Sequence, residues 1–227
     1  MTATSPSESL GITVFCGSSP GNRPVYREAA EQVATALARE GIELIYGGGT
    51  KGIMGIVART ALEKGGKVHG IIPSAFLSAE APDRTTEKEN ETESVVGSMH
   101  ERKKLMADLS QAFIGLPGGF GTLEEVAEMT TWSQIGVHLK PVVLLNVDGF
   151  YGPIRQFVDN AVTSGFIPAQ NRNFLTFVDG PSAEDASFDW GKAALKAIRD
   201  WQAQGSGGAT PFSFEWSDEQ RKGKEVL

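Results

Sequence analysis

Two stretches carry residue types that could do chemistry together: Pro117-Gly-Gly-Phe-Gly-Thr-Leu-Glu-Glu125 and Met99-His-Glu-Arg-Lys103. The first leaves an apolar segment, 112–116, passes three glycines, and enters Leu123, Val126 and Ala127 at helical spacing. It reads as a buried parallel strand, a sharp turn and a helix beginning near Gly121 or Thr122. The leading amides of such a helix lack acceptors, glycine lets backbone approach a ligand closely, and the positive end of the helix dipole favours an anion. That is the pattern of a phosphate site. The same residues also spell a capping box, in which Thr122 caps the third amide and Glu125 reaches back to the cap's own N–H. Spacing alone leaves Glu125 as either a functional carboxylate or a cap. In the second stretch, Arg102 lies three residues after Met99 and four before Met106, so it shares a helix face with two apolar side chains. An arginine on that face is marked for an internal role, whereas Lys104 reads as a solvated face with a snorkelling stem.

Holding these residues requires a scaffold, and the pattern supplies one. Apolar strand-like runs at 10–16, 42–46, 67–72, 112–116, 140–146 and 174–178 alternate with helical patterns at 26–39, 55–62, 98–109, 122–132, 154–162 and 190–201. Alternation of this kind predicts a doubly wound parallel sheet in an α/β domain of three layers. Ligands in such sheets sit at the carboxyl ends of the strands, where Gly17-Ser-Ser-Pro-Gly21 and a second glycine-rich elbow, Gly47-Gly-Gly-Thr-Lys-Gly-Ile-Met-Gly55, both fall. Gly47, Gly49 and Gly52 satisfy G-x-G-x-x-G, but the acidic residue that should end the next strand for ribose binding is missing, as 67–72 runs into Pro73-Ser74. Three consecutive glycines still point to close approach of a ligand. Residues 73–94 form a long polar connection, expected to be a lid or disordered. Residues 1–9 read as a disordered leader, 10–204 as one domain, and 205–227 as a flexible charged tail.

Composition narrows the function classes. The 227 residues suit one sizeable core. A net charge of −7 argues against general binding to nucleic acid or anionic membranes, which needs a basic footprint. The single cysteine, Cys16, gives no disulfide framework and reads as a core thiol. His69, His100 and His138 have no metal-ligand spacing. No run approaches a membrane span, and a cytoplasmic protein is expected.

The combination of P-G-G-x-G-T-x-x-E at 117–125 with Met99-His-Glu-Arg-Lys103 resembles the LOG family of cytokinin-activating phosphoribohydrolases, often mislabelled lysine decarboxylases. The likeness also takes in Phe15-Cys-Gly-Ser-Ser19, Tyr46-Gly-Gly-Gly49 with Met54-Gly55, Thr131-Trp132, Gly136 and Leu145-Asn-Val-Asp-Gly-Phe-Tyr151, and so covers roughly 10–178. The resemblance implies a Rossmann-like fold, a homodimer or higher homo-oligomer, and removal of ribose 5-phosphate from N6-substituted AMP, with AMP itself a candidate substrate. It implies Arg102 and Glu125 as the catalytic pair. It implies a phosphate cradle of Gly118, Gly119, Phe120, Gly121 and Thr122, continued by Leu123 and Glu124, with Lys103, Thr131, Ser18, Gly48, Gly49 and Met99 as further substrate contacts. No cofactor and no metal are expected. The main rival is a nucleotide-binding carrier or sensor using the same cradle without chemistry. A nicotinamide oxidoreductase is disfavoured by the missing acid, and a pyridoxal-phosphate decarboxylase by the absence of a marked Schiff-base lysine with a partner for the pyridine nitrogen.

Overall fold

A computed structural model describes residues 11–77, 89–181 and 188–214; the leader at 1–9, the stretch 78–88 within the polar connection, and the tail from 215 on lie outside the described residues. Seven strands and six helices are described: β1 (Gly11–Phe15), α1 (Pro24–Arg39), β2 (Leu44–Tyr46), α2 (Gly52–Glu63), β3 (Val68–Pro73), β4 (Glu91–Val96), α3 (Met99–Leu109), β5 (Ser110–Gly115), α4 (Phe120–Gln134), β6 (Val142–Asn146), α5 (Gly152–Thr163), β7 (Leu175–Asp179) and α6 (Trp190–Ala203). The strands form one sheet in the order β4-β3-β2-β1-β5-β6-β7, and every neighbouring pair is parallel. The chain therefore walks outward from β1 to β4, returns through α3, and walks outward again on the other side from β5. Between β1 and β5 lies the switch point at which such sheets open a crevice.

Two apolar layers follow from the period-2 alternation of the strands. Ile12 and Val14 of β1 pack with Ala30, Val33 and Leu37 of α1, Val57 of α2, and Ala194 and Ile198 of α6. Phe15, Ile45 and Phe113 face the opposite way, onto Met106 of α3, Val126 and Met129 of α4 and Val158 of α5. Central strands covered on both faces are apolar throughout, which is why they were legible as continuous runs. A buried polar contact ties this centre together: the Thr13 and Ser110 hydroxyls lie 2.5 Å apart, and Thr13 also donates to the Met106 carbonyl at 3.4 Å. It fixes β5 two residues earlier than the apolar run predicts.

The expected polar connection at 73–94 is corrected at its end. Glu91–Val96 is a full strand, β4, in a six-residue register with β3. It is an edge strand with both faces largely in solvent, so it lacks an apolar alternation and carries charge, as edges do. At the other end, residues 205–214 stay against the domain. The Trp201 indole donates to the Asn173 carbonyl at 2.9 Å, Asn173 donates to the Gly207 carbonyl at 2.8 Å, and the Phe212 N–H donates to the carbonyl of Gln134 at 2.8 Å.

One titratable group belongs to this core rather than to the strand ends. Ser133 gives its only proton to the Lys140 carbonyl at 3.1 Å, so it accepts from Nδ1–H of His138 at 3.2 Å, while the buried Nε2 of His138 has no acceptor or donor. Burial, then the Lys140 charge, lowers the imidazole pKa to about 4 from 6.5. The unfolded chain binds a proton below pH 6.5 that the fold refuses, so stability should fall as pH drops from about 6.5 to about 4, by about 2 kcal/mol given the partial exposure of the ring. Urea midpoints of the wild type and of His138→Phe across this window check it; the variant curve should be flatter.

Candidate active site

The crevice at the switch point is built from backbone. Leu116 donates to the Phe15 carbonyl at 2.9 Å, Gly17 to the Pro117 carbonyl at 3.2 Å, and Met54 to the Gly17 carbonyl at 3.3 Å, so the loops after β1, β2 and β5 are laced together. Glycine is required where they touch. A Cβ on Gly118 would stand 2.2 Å from Thr122 Oγ1 and 2.9 Å from the Gly17 nitrogen, and one on Gly52, at φ +57°, would stand 2.3 Å from the Ser18 carbonyl.

Arg102 is 5% exposed and reaches out of α3 under the second elbow, where Nη2 donates to the Gly47 carbonyl at 3.1 Å and Nη1 lies 3.8 Å from Met99 Sδ. A Cβ on Gly47 would sit 2.0 Å from Nη2. Here the sequence expectation is refined: the first glycine of the Gly47-Gly48-Gly49 run makes room for this guanidinium, and Gly48 adopts φ +76°. Arg102 Nε is buried with no acceptor. The internal role expected from helix-face sharing is thus what the structure shows, and Lys104 is exposed beside Asp108 as expected.

Glu125 is 8% exposed and arrives from α4. The helix begins at Phe120 with Gly119 as its N-cap, and no side chain caps it. The capping box is therefore absent: Thr122 already lies in the first turn, buried at 3%, and Glu125 lies one turn further in. The earlier start arises because Gly119 and Phe120 are sterically free to begin the turn. The charges of Glu125 and Arg102 both act on Cys16, whose thiol is pushed far above the usual range, first by burial, then upward by the Glu125 charge and downward by that of Arg102. Behind it, the Tyr151 hydroxyl donates to the Leu116 carbonyl at 2.7 Å and is itself held protonated by burial and the neighbouring Cys16.

At the start of α4 a cavity of about 240 Å³ opens, lined by Gly17, Ser18, Ser19, Gly118 and Gly119 with Tyr26 and Phe150 as aromatic walls. A Cβ at Gly119 or Gly121 would meet nothing within 4 Å, so the cradle is open where leading amides point. Ser18 lines it and is exposed, while Phe120, 93% exposed, and Leu123 in the first turns of α4 and Met99 at the start of α3 are exposed apolar side chains. A larger cavity of about 500 Å³ runs along β7, but the two arginines lining it, Arg155 and Arg172, are paired with Asp179 and Asp159. It offers no uncommitted cation for an anionic ligand.

Not every expected contact converges here. Thr131 is exposed, bonds back to the Ala127 carbonyl at 2.8 Å, and lies roughly 14 Å along α4 from Thr122 at 1.5 Å per residue. Lys103 and Glu124 are engaged with each other. Sequence reasoning missed Tyr26, Phe150 and the ion pair of Arg23 with Asp148 that joins the β1 and β6 loops. The available signal was Asp148-Gly149, a turn pair at a strand end, where Asp148 takes φ +54°.

Three comparisons bear on this site. A family model described as possible lysine decarboxylase matches residues 54–185. A probable cytokinin riboside 5′-monophosphate phosphoribohydrolase of Oryza sativa subsp. japonica is 49% identical over 172 residues, 75% of this chain and 74% of the relative. A cytokinin riboside 5′-monophosphate phosphoribohydrolase of Arabidopsis thaliana is 45% identical over 174 residues, 77% of this chain and 79% of the relative. Among solved structures, the molybdenum cofactor carrier protein of Chlamydomonas reinhardtii superposes with a TM-score of 0.58 at 21% identity, covering 86% of this chain and 99% of that one. At that identity the likeness concerns the fold alone.

The Gly47 contact yields a test. Gly47→Ala should leave the domain folded, at a cost of about 1 kcal/mol, because the far end of a flexible side chain can yield. A crystal structure of the variant should show the Arg102 guanidinium displaced from the Gly47 carbonyl; an unmoved Arg102 would mean that the elbow can give instead.

Proposed function

The chain belongs to the lysine-decarboxylase-like family that includes the cytokinin riboside 5′-monophosphate phosphoribohydrolases, and we propose that it hydrolyses the N-glycosidic bond of N6-substituted AMP to free base and ribose 5-phosphate. One observation carries the reading: a buried carboxylate on α4 and a buried guanidinium on α3 both bear on Cys16 at the end of β1, and the helix that carries the carboxylate begins without a side-chain cap.

The phosphate binds over Gly119, Phe120, Gly121 and Thr122, where leading amides and the helix dipole favour a dianion. Ser18 and the glycines of the second elbow, Gly48 and Gly49, face the sugar. Breaking the C1′–N9 bond builds positive charge on the ribose ring, and an ionised Glu125 beside C1′ stabilises it. Water adds to C1′ as the base departs; Glu125 takes the water's proton, and the departing base is protonated from solvent. Arg102 stays charged, so it is no general acid; it holds Glu125 ionised and oriented. Phosphate binding sets C1′ against the carboxylate, so binding energy is spent on geometry. The exposed apolar side chains at the starts of α3 and α4, Met99, Phe120 and Leu123, suit burial against a second copy, and the proposed working unit is a homo-oligomer. A lone buried thiol accords with a cytosolic setting.

Purified protein incubated with N6-isopentenyladenosine 5′-monophosphate, AMP and the matching riboside, followed by chromatography, should release base from the monophosphate and not from the riboside. Glu125→Gln should retain nucleotide binding and lose turnover by about 10²- to 10⁴-fold. Base release by the variant at the wild-type rate would remove Glu125 from the reaction, and wild-type protein that binds nucleotide but releases no base would return the protein to the carrier reading.

A further inference from the structure

The loop after β6 takes no step in the proposed reaction, yet its polar groups are turned toward the peptide that leads into the cradle. The Tyr151 hydroxyl donates to the Leu116 carbonyl at 2.7 Å, and Leu116 lies one residue past Gly115, the last residue of β5 in register with β6. Resting on the hydrolase reading above, we propose that Tyr151 is a positioning residue: its hydroxyl holds the Leu116–Pro117 peptide, and with it the Gly118-Gly119 turn into α4, in the geometry that seats the 5′-phosphate.

The carbonyl it meets needs a donor. Leu116 is fully buried at a point where the register of β5 with β6 has ended, and a buried carbonyl left without a partner is costly enough to make a loop shift. The next carbonyl, that of Pro117, accepts from the Gly17 N–H at 3.2 Å. Two successive carbonyls ahead of Gly118 are therefore held from two sides, one by the loop after β6 and one by the loop after β1. Gly118 is in turn packed against Thr122, so a shift of the entering peptide passes to the first turn of α4. Tyr151, 3% exposed, does not line the cavity, whereas Phe150 does, with its ring edge-on to that of Tyr151 at 5.0 Å. Tyr151 acts through Leu116, without touching the ligand.

A relay aims the hydroxyl. Asp148 and Gly149, at φ +54° and +74°, turn the chain back, so that the Tyr151 N–H donates at 2.7 Å to Oδ1 of Asn146, the last residue of β6. Nδ2 of Asn146 donates to Asp179 Oδ1 at 2.7 Å, and Arg155 Nη2 donates to both Asp179 oxygens at 2.8 Å. With an N–H on one side and a carboxylate on the other, the Asn146 amide has a single workable orientation. Burial alone would raise the Asp179 pKa, but hydrogen bonds from Arg155 and Asn146 outweigh it and lower it, so the far anchor is a carboxylate. Arg155 is itself held over the Phe177 ring, 4.9 Å from its centroid. Arg155 and Asp179 line the large cavity along β7, so the outer links of this network lie there and its inner end lies at the cradle.

The test uses the full chain with N6-isopentenyladenosine 5′-monophosphate as substrate, and ribose 5-phosphate and the matching riboside as competitors. Tyr151→Phe keeps the ring and removes the hydroxyl. It should raise KM and the Ki for ribose 5-phosphate together by about 5- to 20-fold, while the Ki for the riboside, which has no phosphate, changes by less than about twofold. A loss of fold stability alone would not move the Ki of the folded enzyme. Asp179→Asn alters an exposed side chain and serves if Tyr151→Phe does not fold: with the far anchor weakened, the Ki for ribose 5-phosphate should rise by at least about twofold, and an unchanged value overturns the proposal. An unchanged Ki for ribose 5-phosphate in folded Tyr151→Phe, or an equal rise for the riboside, overturns it as well. A wild type that turns over the monophosphate but is not inhibited by ribose 5-phosphate has no cradle for Tyr151 to position, which overturns the proposal and leaves hydrolysis standing. A wild type that releases no base overturns it together with the hydrolase reading.

Discussion

A guanidinium under a strand-end loop is the constraint to which the rest of the site conforms. Arg102 cannot shed its proton, so its burial at 5% exposure demands acceptors and a compensating charge. The Gly47 carbonyl supplies the acceptor and Glu125 a charge of opposite sign, and the thiol of Cys16 senses both Glu125 and Arg102. The helix that delivers Arg102 must leave β4 at the sheet edge and run back to the switch point, and the elbow above it must carry no side chain at Gly47. Fold topology, loop composition and a buried charge are thus one requirement seen at three scales.

The glycines divide between two tasks that look identical on the page of a sequence. At Gly47, Gly52 and Gly118 an added Cβ would lie within 2.3 Å of another residue's atoms, so those positions serve packing of loop on loop and loop on arginine. At Gly119 and Gly121 an added Cβ would meet empty space, so there the missing side chain keeps backbone amides accessible. A motif such as P-G-G-x-G-T mixes both. Substituting one glycine in it tests a packing claim or a ligand claim, never the motif as a whole.

Most of the scaffold was legible because buried parallel strands are short apolar runs and amphipathic helices keep their period. The central five strands, the covering helices and the unusual placement of Arg102 all follow from that reading. Three features escaped it for separate physical reasons. β4 is an edge strand whose Glu, Thr and Ser residues face water, so no alternation marks it. The start of α4 was set by the freedom of Gly119 rather than by a capping side chain, which moved Thr122 and Glu125 a turn deeper than a capping box allows. The pairing of Lys103 with Glu124 and Glu128 joins residues over twenty positions apart, and local spacing holds no information about which face of one helix meets which face of another.

The depth of Glu125 has a mechanistic consequence. Thr122, proposed for the cradle, and Glu125, proposed for the reacting carbon, lie on one helix, three residues and roughly 4.5 Å of rise apart. The anchor and the carboxylate therefore cannot drift relative to one another, and a phosphate seated on the leading amides fixes the sugar at a set height against Glu125. On the proposed reading, binding energy collected at the phosphate would be converted directly into alignment at C1′. A riboside, lacking the anchor, would lose that alignment even when saturating, so discrimination against it should fall on kcat as well as on KM.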